Sequence, residues 1–115
     1  MKKLLLIGNK PLDKDYSSEI NKYDKVIRIN RATNYDMSKG RTDLWLADIH
    51  GNWFDNEPKD KFVGAKKAIV FNHHRECAMR YFNKINYRGD IQFMSFDDIP
   101  ICQYIGVYDV HERGM

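Results

Sequence analysis

Short apolar runs of four or five residues alternate along the chain with longer polar stretches. Leu4-Leu5-Leu6-Ile7 is continuous, apolar and stopped by Gly8-Asn9, the pattern of a parallel strand covered on both faces. Val26-Ile27-Arg28-Ile29 stops at Asn30-Arg31-Ala32, Leu44-Trp45-Leu46-Ala47 at Asp48-Ile49-His50-Gly51, and Ala68-Ile69-Val70-Phe71 at Asn72. Ile91-Gln92-Phe93-Met94 follows the turn residues Tyr87-Arg88-Gly89-Asp90. Five strands are therefore expected. Between the first two, residues 15–22 predict a helix of about two turns. Residues 33–42 are polar, include Gly40 and read as a loop, and residues 50–60 form a longer excursion that carries Trp53 and Phe54. The strongest helix runs over 73–85 with Asn72 as its cap. There Ala78, Tyr81, Phe82 and Ile85 share one face, and Arg75, Glu76, Arg80 and Lys84 largely populate the other. Near the end, Tyr104, Ile105, Val107, Tyr108 and Val110 give an apolar segment in which helical spacing and β-branched content point in opposite directions.

Strands alternating with helices and loops predict an α/β three-layer sandwich with a mainly parallel sheet of about five strands. The 115 residues are expected to make a single domain with a core large enough to fold without staples. Two cysteines, Cys77 and Cys102, give no paired spacing for a disulfide framework or zinc knuckle, and a reducing, cytoplasmic setting follows. The basic and apolar opening is too short for a signal core or a transmembrane segment. With 19 Lys+Arg against 16 Asp+Glu, the net charge of +3 is spread over interleaved signs, and no nucleic acid partner is expected.

In parallel sheets ligands gather at the carboxyl ends of the strands. That rule brings Gly8-Asn9-Lys10-Pro11, Asn30-Arg31, Asp48-Ile49-His50 and Asn72-His73-His74 to one rim. Gly8 lets the backbone turn and approach a ligand closely. Asn30 offers a donor and an acceptor without charge, and Arg31 can hold a phosphate or carboxylate in a forked geometry. Each has a plainer reading as well: a tight turn for Gly8-Asn9, a solvated loop arginine for Arg31. Arg28 is read as structural, paired with an acid such as Asp43. The glycine-rich dinucleotide fingerprint and the phosphate-loop pattern are both missing, which disfavours hydride transfer and ordinary nucleoside triphosphate hydrolysis.

Gly8-Asn9-Lys10-Pro11-Leu12, the stretch from Glu19 through Val26-Ile27-Arg28-Ile29-Asn30-Arg31-Ala32, and Gly40-Arg41-Thr42-Asp43 occur in the order that resembles the donor-binding half of sialyltransferases. The likeness is to the long sialylmotif of the animal enzymes and to the N-terminal part of the bacterial enzymes that use CMP-sialic acid, and it covers roughly the first fifty residues. The resemblance implies a Rossmann-like fold and a glycosyltransferase whose partners are a nucleotide-sugar donor, a CMP-sugar, and a glycan acceptor. It implies that Gly8, Asn9 and Asn30 meet the nucleotide, with Asp48 a further contact and Arg31 beside them. In the family the catalytic histidine lies in a C-terminal half that follows a Pro-Ser-x-Gly-like segment. This sequence carries no such segment, so the catalytic residue is unassigned, and a degenerate nucleotide-binding or assembly module is the alternative. An unrelated α/β domain, in which Gly8-Asn9 and Asn30 merely turn the chain, is the third reading.

His50, His73, His74 and His111 are candidates for acid–base work. No metal site and no cofactor are expected, since His73 and His74 lack a third ligand at metal spacing. Trp45 is read as core. Trp53-Phe54 could stack on a sugar, cover a sheet edge or, as the preferred reading, join a homo-oligomer.

Overall fold

The computed structural model describes residues 2–51 and 54–95. Trp53, His111, Pro100, Cys102 and the apolar segment over 104–110 lie outside these residues.

Five strands form: β1 (Leu4–Ile7), β2 (Lys25–Ile29), β3 (Leu44–Ala47), β4 (Lys67–Phe71) and β5 (Asp90–Met94). They pair in parallel in the spatial order β1-β2-β3-β4-β5, which gives an α/β, Rossmann-like sheet. The helices are α1 (Ser17–Ile20) and α2 (Arg75–Lys84).

Sequential order has a topological consequence. Right-handed crossovers between neighbouring parallel strands all return over the same face of the sheet. Register separates the two faces. Leu5 and Ile7, Val26 and Arg28, Trp45 and Ala47, Ala68 and Val70, Ile91 and Phe93 point one way. On that face α2 packs its Ala78, Tyr81, Phe82 and Ile85 against Trp45, Ala47, Ala68 and Val70. The opposite face carries Leu4, Leu6, Ile27, Ile29, Leu44, Leu46, Ile69 and Phe71, none of which is buried. Leu4 and Leu6 are each 61% exposed. The first strand, expected to be covered on both faces, is instead an edge strand with one open face. Its apolar run encodes burial that the described residues do not supply.

Trp45 is the centre of the core, as its strand position predicts. Phe62 stacks on it at 3.9 Å and 10°, and Phe54, Tyr81 and Phe82 meet it at tilted or edge-on angles. Phe54 is 2% exposed, so the aromatic of the 50–60 excursion that the structure describes serves the core rather than a ligand or an oligomer contact. The excursion is fastened to α2 from outside: Arg80 donates to the Gly51 carbonyl at 2.5 Å, and Lys84 donates to the Asp55 carbonyl.

Two caps differ from expectation. The first helix is one turn, not two; Asp15 accepts from the Ser17 N–H at 2.8 Å, and the chain leaves the helix at Asn21. The second starts with a 3-10 turn at Asn72–His74, and the Asn72 carboxamide faces the Arg75 guanidinium instead of capping backbone.

Arg28 is fully buried, and its partner is not Asp43. Its guanidinium donates to Thr42 Oγ1 at 2.8 Å, Ser38 Oγ at 3.2 Å and the Ser38 carbonyl at 2.8 Å, and lies over the Tyr35 ring. The polar 33–42 loop is thereby explained. Its Ser38 and Thr42 are turned inward to satisfy a buried cation, whose donors would be costly to leave unpaired.

Candidate functional site

The carboxyl rim is built by the residues that end each strand. Asn34, buried behind the first turn, donates through Nδ2 to the carbonyls of Gly8 at 2.9 Å and Lys10 at 2.8 Å, and so fixes the curve of that turn. A Cβ added at Gly8 would have no atom within 4 Å, which leaves the space above this backbone open. Asn9 lies between β1 and β2: its Nδ2 donates to the Ile29 carbonyl at 3.2 Å, and its Oδ1 accepts the Thr33 N–H at 3.0 Å.

Asn30 adopts a left-handed backbone conformation (φ 50°), which asparagine tolerates better than most residues. Its carbonyl accepts the Trp45 indole N–H at 2.7 Å, and its Oδ1 accepts the Asp48 N–H at 3.0 Å. Asn30 thus connects the end of β2 to the core and to the end of β3. Arg31 turns away from this line. Its guanidinium pairs with Glu57, which Lys61 also meets at 2.9 Å. The structure therefore gathers Gly8, Asn9, Asn30 and Asp48 along one rim and directs Arg31 to the 50–60 excursion. Gly40-Arg41-Thr42-Asp43 lies at the other end of the sheet, before β3. There the Asp43 carboxylate accepts the Val26 N–H at 2.8 Å and pairs with Arg41 and Lys66.

Beyond Asn30 the rim becomes a cluster of ionisable groups. Asp48, 9% exposed, has a carboxylate oxygen 4.0 Å from His74 Nε2. The His73 and His74 rings are 4.0 Å apart, and His50 is 4.9 Å from His74, centre to centre. One ligand atom each from Asp48, His73 and His74 lies within 4.8 Å of the others. Sequence spacing alone could not reveal this group, since its third member comes from a different strand end; the parallel order that sets β3 beside β4 was the available signal. The two histidines open on a cleft of about 430 Å³ that Asn72, Glu76 and Cys77 also line. Arg75, next in sequence, lines the same cleft and lies over the Phe93 ring at 4.1 Å.

A separate cleft of about 560 Å³ runs along the helix-side face of β1, lined by Leu5, Ile7, Leu12, Ile20 and Tyr23 and reaching the rim at Gly8 and Lys10. It exists because one turn of α1 is too short to cover the edge strand.

An α/β chain with a parallel sheet and a polar carboxyl rim is what the fold and geometry define. Comparison with protein-family models, with curated proteins and with solved structures finds no match. Among the described residues no helix is long and apolar enough to cross a membrane.

Proposed function

We propose that this chain is a sialyltransferase-like glycosyltransferase domain that binds a nucleotide-sugar donor of the CMP-sialic acid type for transfer to a glycan acceptor. One observation carries the reading: two of the pieces of sequence that resemble the family's donor half, Gly8-Asn9 and the end of β2 at Asn30, and Asp48 after the third strand, meet on the carboxyl rim of a parallel sheet, where such folds hold nucleotides. In this reading the open backbone at Gly8 takes the close approach of the donor. Asn9 is a positioning residue that holds the Gly8 turn against β2, and Asn30 contacts the nucleotide through its Nδ2 while its Oδ1 stays on the Asp48 N–H. The transfer itself is attack of an acceptor hydroxyl on the anomeric carbon, with a base taking the hydroxyl proton and CMP departing. A cytoplasmic location and self-association belong to the same proposal.

A degenerate nucleotide-binding module is the second reading. The Asn9 carboxamide, engaged at both ends in holding loops, positions the turn in that reading as well.

Titration with CMP followed by amide chemical shifts tests the donor site. Saturable shifts at Gly8, Asn30 and Asp48 are expected, and Gly8→Val should abolish them without unfolding the chain, because the added side chain enters open space. Absence of any response at millimolar CMP overturns the reading. CMP release from CMP-sialic acid separates the enzyme from the module.

A further inference from the structure

The geometry points to a divalent transition-metal site formed by Asp48, His73 and His74, at the carboxyl ends of β3 and β4. It does not rest on the nucleotide-sugar reading, with which it shares Asp48 alone.

The donor set is one carboxylate and two imidazoles, which suits zinc, cobalt or nickel and not the all-oxygen preference of magnesium or calcium. Around a tetrahedral zinc with bonds of about 2.0–2.2 Å, neighbouring ligand atoms stand roughly 3.4 Å apart. Here the ligand atoms lie within 4.8 Å of one another, and the Asp48–His74 pair is at 4.0 Å. Rotation of two imidazoles closes that gap. His73 is exposed and His74 only partly buried.

The carboxylate is the fixed member. Asp48 follows a core strand, is nearly buried, and has its backbone N–H held by Asn30. Three protein ligands leave at least one coordination position for water or another oxygen ligand, as reactive zinc sites do and closed structural sites do not. The cleft in front of His73 and His74 is the path by which an ion enters. His50, beside His74, stands near this position and is a neighbour of the ion rather than one of the three ligands.

The test uses the full chain, freed of metal with a chelator and titrated with Zn²⁺ by calorimetry and with Co²⁺ by visible absorption. One ion per chain is expected, with a dissociation constant of roughly 1 μM or tighter and the ligand-field bands of low-coordinate Co²⁺. His73→Ala, His74→Ala and Asp48→Asn should each weaken binding by about tenfold or more and change the Co²⁺ spectrum. Because His73 is exposed, His73→Ala reads the ligand role without disturbing the core, and an unchanged thermal midpoint verifies that. Cys77→Ser and His111→Ala should leave affinity as it was. No saturable binding at ion concentrations up to roughly 100 μM overturns the proposal. So does binding that survives all three ligand substitutions, or that is lost in Cys77→Ser or His111→Ala.

Discussion

Asp43 ties three parts of the molecule at the amino end of the sheet. It accepts the first N–H of Val26, pairs with Arg41 on its own loop, and meets Lys66 at 3.1 Å ahead of β4. Burial pushes its pKa up, but the Val26 N–H, then Arg41 and Lys66, outweigh burial and hold the carboxyl below its ordinary value. A carboxyl with a depressed native pKa stabilises the fold fully above its unfolded value, near 3.9, and loses that contribution as pH falls through the native value. Asp43→Asn should therefore lower the thermal midpoint at neutral pH. The gap between the two proteins should close as pH drops below about 4, as a midpoint series by circular dichroism would show. A constant gap would mean that geometry and not charge is what Asp43 contributes. The same residues show what sequence does and does not disclose. That Arg28 is structural follows from its place among Val26, Ile27 and Ile29; that it bonds to Ser38 and Thr42 rather than to Asp43 depends on how the 33–42 loop folds back, which no local pattern encodes.

Elements whose signal is local were legible. All five strands fall within one residue of their apolar runs, and α2 buries the predicted face, because hydrophobic period and strand length are properties of a few neighbouring residues. Elements defined by their contacts were less so. The connection from α2 to β5 shows why. Tyr87 reads as a turn residue, yet its hydroxyl donates to the Ala65 carbonyl at 2.8 Å, and burial raises its pKa to about 12. Gly89 looks like ordinary turn chemistry. A Cβ there would instead collide with both the Tyr87 hydroxyl and the Ala65 carbonyl, so glycine is required by that hydrogen bond and not by the turn alone. Gly89→Ala should cost about 1–3 kcal/mol, and Tyr87→Phe about 1 kcal/mol through the lost bond, both read by urea denaturation. The raised Tyr87 pKa sets the sign with pH. Its contribution is intact below the ordinary tyrosine value and is lost as pH rises from about 10 toward 12, so the deficit of Tyr87→Phe should shrink over that window. Equal deficits at pH 8 and above pH 11 would count against the buried hydroxyl.

At the scale of the whole molecule, strand order decides which burial is achieved. A parallel sheet normally has both faces covered, and its strands read as continuous apolar runs for that reason. The sequence has those runs. Sequential order nevertheless sends α1 and α2 to one side, and the described residues leave Leu4 and Leu6 exposed and the rest of their row across the sheet only partly buried. The class of fold was legible in the sequence because it depends on the alternation of elements; the asymmetry was not, because strand order is fixed by long-range pairing. The asymmetry makes opposite forecasts for two apolar residues. Trp45, enclosed by four aromatic rings, should cost about 3–5 kcal/mol when changed to alanine. Leu6, on the open face, should tolerate lysine within about 0.5 kcal/mol. Urea midpoints of the two variants, measured at low protein concentration, check both. A loss above about 1.5 kcal/mol for Leu6→Lys would mean that this face is covered in solution, because a leucine already 61% exposed has little apolar burial to forfeit.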